Sequence, residues 1–416
     1  MTTSPKKLPT TTIRFVASSA LSLLGNSMAA VVIPLILLAR TGDALAAGTL
    51  ALVCAVPQML VGLLGGALLD VANRRNVSIV SDLISAASVA LLPVVDILWG
   101  LDFGWFVVLG LLGAIGDIPG MTARDTLLPA VVERDGIDLQ RFLGVNQSLE
   151  SLITIVGPAL AAVLIGFGTD SMALWATAAL SCAAAIVTLT LPRSIGKVGQ
   201  AATEERSSGA STSKGVVAAA RASLADGVRV LFKDDALLRT AMLLSFGIIM
   251  VMGSFQGLVL PFHFTQQGDP AGLGYVLSFM SAGLLAGSLV YTALAPRLTK
   301  RTWYVLSLLG MTAAVVVMGL LPPYPVMLAV ALLLGFSAGP ASALLGFFAF
   351  DRIPAAHRGS ALGTQNALVL VAAPVAVFLT SAVVEAGGVA IGALILAVCW
   401  ILITIWALFT KTMRKL

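Results

Sequence analysis

Three acids, Asp82, Asp117 and Glu150, sit inside or at the start of long apolar stretches of this 416-residue chain. Two more, Asp96 and Glu385, stand nearer the edges of theirs and read as solvated. An ionisable group in such a place is a functional candidate by default. Desolvation raises the pKa of a carboxyl, so it can load and release a proton near neutral pH. Asp82, Asp117 and Glu150 are therefore the candidates for proton coupling. Around them are uncharged groups suited to binding an amphipathic ligand: Asn26, Gln58, Gln256 and Asn366 as polar contacts, and Phe255 as an apolar one. An Asn at position 26 does not titrate, so any proton must be carried elsewhere. No phosphate-binding loop with Lys and no His-Glu-x-x-His helix occurs, and the chain has only two His. Nothing in the pattern calls for a cofactor, a resident metal or enzymatic chemistry, and nothing in it supplies direct ATP coupling. The three cysteines, Cys54, Cys182 and Cys399, lie in apolar runs without metal-ligand spacing.

The elements that position these groups follow from composition. Of the residues 58% are hydrophobic and 11% charged, against about 25% charged in an ordinary soluble protein. Apolar runs of about 20 residues, the length that crosses a bilayer, recur near 14–39, 45–69, 77–99, 103–122, 142–167, 171–191, 239–263, 271–294, 302–321, 325–350, 360–384 and 388–410. Lipid offers no partner for a backbone amide, and these runs do not alternate, so each is predicted to be a helix. The fold class expected is an all-α membrane protein of 12 transmembrane helices in two six-helix pseudo-symmetric halves. The formal charge of +5 comes from short bursts of Lys and Arg between runs, a topology signal rather than a nucleic-acid patch. With the N-terminus inside, Arg74, Arg75, Arg124, Arg134, Arg141, Arg297, Lys300, Arg301, Arg352 and Arg358 share its side, and Arg40 alone lies opposite. Both termini are thus expected in the cytoplasm.

One long polar connection divides the chain into 1–191, a six-helix bundle; 192–238, a linker whose second part reads as a surface-lying amphipathic helix with Leu224, Val228 and Leu231 on one face; and 239–416, a second six-helix bundle. The halves echo each other. Asp70 with Arg74-Arg75 is matched by Pro296 with Lys300-Arg301, and Gly157-Pro158, a predicted helix bend, is matched by Ala373-Pro374. A duplicated six-helix unit is what alternating-access carriers use.

The stretch GALLDVANRR (66–75) resembles the loop 2–3 signature of the major facilitator superfamily at Gly66, Leu68, Asp70, Arg74 and Arg75. Val71 stands where that signature has Arg, and Asn73 where it has Gly. SLLGN (22–26), RRNVSIVSDL (74–83) and ADGVRVLFKDDALLR (225–239) are similar to segments of one branch, the bacterial macrolide- and siderophore-exporter-like efflux carriers. The likeness covers essentially the whole chain. It implies that Gly62, Gly66, Asp70, Arg74 and Arg75 form a conformational latch, with Gly62 and Gly66 giving a helix face without side chains and Arg74 pairing with an acid such as Asp117 or Asp125. Asn73 is expected to replace Gly easily because it tolerates left-handed backbone.

The function this implies is proton-coupled export of small amphipathic compounds, such as drugs, antibiotics or siderophores, by a carrier in the bacterial inner membrane. Its partners are the small-molecule substrate, protons and the lipid bilayer, not nucleic acid. One chain holds a complete two-half pathway, so a monomer suffices. An importer or facilitator of a polar metabolite is the alternative, and a non-transporting membrane sensor is a third reading.

Overall fold

The computed structural model describes residues 10–71, 73–137, 139–167, 170–196, 225–294, 297–353 and 358–410. Among the described residues there is no strand. The principal helices are α1 (Thr10–Thr41), α2 (Ala44–Val71), α3 (Arg74–Trp99), α4 (Phe103–Asp135), α5 (Leu139–Phe167), α6 (Asp170–Leu189), α7 (Ala236–Gln267), α8 (Pro270–Leu294), α9 (Lys300–Gly319), α10 (Tyr324–Arg352), α11 (Arg358–Gly387) and α12 (Val389–Phe409). Ten of them are long and apolar enough to cross a membrane, and α2 and α5 carry shorter described apolar stretches, Ala44–Met59 and Leu152–Ile165. The protein is an all-helical membrane protein.

Side-chain caps set the helix starts by satisfying backbone amides that have no partner within the helix. Asp102 accepts from the amide of Trp105 at 3.0 Å, Asp235 from Leu237 and Leu238 at 2.6 and 3.1 Å, and Thr299 from Thr302 at 3.2 Å. Gly136 and Gly268 end α4 and α7 in left-handed backbone, at φ 64° and 68°. Within α7 the residues Phe255–Val259 form one π-helical turn, a widening that helices often carry at functional positions.

The chain forms two compact units, one within 1–30, 60–157 and 168–210 and the other within 31–59, 158–167 and 211–416. Three helices contribute one end to each unit: α1, α2 and α5. A proline lies within four residues of each division, namely Pro34, Pro57 and Pro158. Proline removes one helix hydrogen bond and bends the axis, so each of these helices can serve two packing environments.

In the first unit α3 packs on α4 and α6. Phe15, Leu127, Leu128, Val131, Val132, Phe142, Leu191 and Ile195 form its core at one end. In the second unit α9 packs on α10 and α12, the same pairing six helices on. There α8 and α10 touch backbone to backbone: a Cβ at Gly283 or Gly287 would lie 2.2 or 2.0 Å from a carbonyl of α10, and one at Gly335 would lie 1.8 Å from Met280 O. These are small residues four apart on both helices, the spacing that lets membrane helices approach closely. Residues 225–234 are helical and lead into α7. Val230 and Leu231 are buried there with Leu238, Met242, Ile353 and Ala361, while Val228 is 40% exposed. The buried side of this segment therefore runs through Val230 and Leu231 rather than Val228; a π turn at Val230–Asp234 changes the helical periodicity at that point. Leu224 lies outside the described residues.

Candidate functional site

The first unit contains a cavity of about 460 Å³ built from α1, α4 and α5. Ser19, Asn26 and Ser27 come from α1, Arg124 and Asp125 from α4, and Asn146, Glu150 and Thr154 from α5. Phe15, Leu23, Met121, Leu128 and Ile153 supply apolar wall. This is the usual makeup of a small-molecule site, a concave apolar surface with a few convergent polar groups. Glu150 Oε1 accepts from Asn146 Nδ2 at 2.7 Å, which holds the carboxylate one helical turn along α5. The Ser19 hydroxyl is buried and bonded to nothing among the described residues.

The close approach of α5 to α1 at this site depends on Gly157. A Cβ there would lie 2.2 Å from Ser27 Oγ and 2.6 Å from Ser27 Cβ. Pro158 follows inside the helix, as Pro374 lies inside α11.

Behind the cavity wall lies a buried charge cluster. Arg124 Nη2 donates to Asp82 Oδ2, and Ser22 Oγ of α1 donates to the other oxygen at 2.9 Å. Asp117, two turns before Arg124 on the same face of α4, accepts from Ser85 Oγ of α3. A pair this desolvated is held by the fact that each charge would be far worse off alone. Sequence reasoning singled out Asp82 and missed Arg124, which counted there only as one of many inner-side basic residues. The signal available was its distance into a long helix: Arg124 falls about 16 Å before the end of α4 at Asp135, at 1.5 Å per residue.

The structure joins some predicted site residues and separates others. Asn26 and Glu150 line one cavity, and Asp82 and Asp117 lie in the cluster next to it. Gln58 is partly buried on α2 and does not line that cavity. Phe255 is 2% exposed within the π turn of α7, and Gln256 is exposed, 3.9 Å from Met280 Sδ. Gly62, Gly66, Asp70 and Asn366 lie outside the residues described in side-chain detail.

The two arginines of the loop signature bind backbone carbonyls, one at the end of a helix and one inside it. Arg75 Nη2 donates to Leu189 O, the last residue of α6, and Arg74 Nη1 to Thr126 O of α4 at 3.4 Å. At the end of α6 the Arg75 cation satisfies a carbonyl that has no partner within the helix and meets the negative end of its dipole. Asn73 corrects one expectation. Its backbone is extended, at φ −67° and ψ 111°, not left-handed. It occupies the glycine position because its side chain caps α3, accepting from the amides of Arg75 and Asn76, and its Nδ2 donates to Arg193 O at 3.2 Å.

Comparison with known proteins agrees with this architecture. The Major Facilitator Superfamily profile matches residues 15–268. The multidrug efflux pump Tap of Mycolicibacterium fortuitum is 30% identical over 419 residues, covering 100% of this chain and 98% of that protein. Macrolide efflux protein A of Streptococcus pyogenes is 29% identical over 148 residues, 36% of each chain. Among solved structures, the nucleoside transporter NupG superposes with a TM-score of 0.73 at 15% identity, over 97% of this chain and 99% of that one; the likeness is one of fold. With a profile match over more than half its length and a full-length relative at this identity, the chain belongs to the Major Facilitator Superfamily.

Proposed function

We propose that this protein is a secondary active exporter of small amphipathic compounds, drawing its energy from protons that move inward. The observation that carries this reading is the cavity, in which two acids, Asp125 and Glu150, and two amides, Asn26 and Asn146, stand beside an apolar wall. Such a lining suits a molecule with an apolar body and a cationic or hydrogen-bonding end. The full-length relative carries the name of a multidrug efflux pump, which supports export over import of a polar metabolite. The protein works in a bacterial inner membrane with both termini in the cytoplasm, as a monomer. Its halves are 1–191 and 239–416, joined through 192–238, and the contacts of Arg74 and Arg75 form part of its conformational latch.

The test uses purified protein in proteoliposomes and ethidium, a fluorescent cationic dye, with an imposed inward proton gradient. Dye movement that follows the gradient and collapses with an uncoupler is expected, and Glu150→Gln should lower the transport rate by about tenfold, the order of one lost charge-assisted contact. Dye movement indifferent to the gradient would overturn proton coupling, and no dye movement would overturn the export of cationic amphipathic compounds.

A further inference from the structure

Arg124 belongs to two environments. One of its terminal nitrogens is bonded to Asp82, between α1, α3 and α4, and the same side chain forms part of the cavity wall with Asp125, Asn146 and Glu150. The pair is desolvated, with side chains only 10% and 4% exposed for Arg124 and Asp82. A guanidinium carries five N–H donors in a fixed fork, yet the buried Nε of Arg124 has no acceptor among the described residues. The side chain is thus held on one side by a carboxylate and has donor capacity left over.

The surroundings of Asp82 leave it few alternatives. From α4 it faces Arg124 and, at longer range, the Asp117 carboxylate. From α1 it faces the Ser22 hydroxyl, and α1 has no acid or base between Arg14 and Arg40. From α6, residues 171–189 include no Asp, Glu, Lys, Arg or His. Arg124 is therefore the cation that balances Asp82. When Asp82 is neutral, the carboxylates within electrostatic reach of that cation are Asp117, behind the wall, and Asp125, in the cavity, with Glu150 next to Asp125 in turn.

We propose that Arg124 is a positioning residue that couples proton uptake to ligand release: paired with ionised Asp82 it leaves Asp125 and Glu150 free to hold a cationic ligand, and once Asp82 is protonated it turns to those two acids and displaces the ligand. The proposal rests on the export reading above. In the step one proton adds to a carboxylate oxygen of Asp82, the ionic hydrogen bond to Arg124 breaks, and a guanidinium replaces the ligand's positive charge in the cavity. No other bond forms or breaks, and one proton enters for each monocation that leaves. The guanidinium and the ligand compete for the same carboxylates, which gives the two events opposite effects on one site, the requirement for exchange.

Ethidium binding to the purified protein at alkaline pH, where the cavity acids are ionised, tests this. Asp82→Asn imitates the protonated state and should bind ethidium about tenfold more weakly than wild type, a usual size for coupling between two sites. The double variant Asp82→Asn/Arg124→Gln removes the competing guanidinium and should bind as tightly as wild type, while moving dye downhill without proton-driven accumulation. Recovery of affinity on removing a second residue is a result that a merely structural role would not give. Wild-type affinity in Asp82→Asn, or a double variant as weak as the single, would overturn the proposal. If Asp82→Asn does not fold, the double variant, in which neither member of the pair is charged, carries the test alone: proton-driven accumulation at the wild-type rate would overturn the relay. No ethidium binding by the wild-type protein would overturn the export reading together with the relay, whereas wild-type binding with either contrary variant result would overturn the relay alone.

Discussion

The crossing of α3 with α4 and that of α9 with α10 are two versions of one arrangement. In the first, Gly113 of α4 faces Ser88 of α3; in the second, Gly310 of α9 faces Ser337 of α10. The same small pair sits at both, with the glycine and serine exchanged between helices. Counting from that pair, about one helical turn off the register that matches Arg74-Arg75 with Lys300-Arg301, the position of Asp82 corresponds to Tyr304, Ser85 to Ser307, Asp117 to Ala341 and Arg124 to Phe348. One half therefore buries an acid–guanidinium pair where the other buries two aromatic rings. Gly116 and Gly120 keep the first crossing tight, next to Ile84 and Ser81. In the second, Trp303 and Leu344 occupy the positions of Ser81 and Gly120 by the same count. Several polar groups of the second half are satisfied without charge: Tyr304 donates to Ala407 O at 3.3 Å, Trp400 Nε1 to Thr312 Oγ1 at 3.1 Å, and the hydroxyls of Thr312 and Thr404 are hydrogen-bonded at 3.0 Å. At this crossing, then, one half carries charged groups and the other neutral packing.

The largest expected effect comes from separating the charged pair. Arg124→Met alone leaves Asp82 buried without a cation and should lower stability by about 3–5 kcal/mol, whereas the double variant Asp82→Leu/Arg124→Met should be near neutral or more stable. Thermal unfolding of the purified protein in detergent measures both, and a single variant that melts with wild type would break the contrast between halves. Next in size are the exchanged glycines. Gly310→Ala puts a Cβ 2.3 Å from Ser337 Oγ, while Gly113→Ala leaves 3.0 Å to Ser88 Oγ. Overpacking should make the first lose about 1–3 kcal/mol and the second stay within about 1 kcal/mol, since alanine also gains helix propensity. Adding Ser337→Gly to Gly310→Ala should restore the melting temperature; failure to do so would show that the two crossings are not equivalent. The matched serines should differ as well. Ser85 donates to a carboxylate, so Ser85→Ala should cost about 1.5–3 kcal/mol. The buried Ser307 hydroxyl has no partner among the described residues, and its counterpart of Asp117 is an alanine, so Ser307→Ala should be neutral or slightly stabilising in the same assay.

Much of the architecture was legible because lipid imposes a strong rule. Backbone groups in hydrocarbon must bond internally, so an apolar run of about 20 residues is already a helix. The site was legible only in part. Asp82, Asp117 and Glu150 stand out because acids are rare in such runs, and Asn26 because an amide in mid-helix needs a partner. Arg124 did not, because a basic residue near the inner end of a helix is the ordinary topology signal. The Gly283/Gly287 and Gly335/Gly339 pairs have the spacing of Gly62/Gly66, yet spacing alone does not tell which glycine face meets another helix. Phe255 looked like a lining residue by type, and the tertiary packing buries it.

The sequence by itself determined the class of the protein, its helices and the presence of acids within them. These follow from transfer energies, which depend on residue type and run length. Only the tertiary structure decided that Arg124 neutralises Asp82, that Arg75 closes α6, and that Asn26 and Glu150 share a cavity. Pairings between residues far apart in the chain depend on how helices are rotated and spaced, and a periodic apolar pattern leaves both rotation and spacing open.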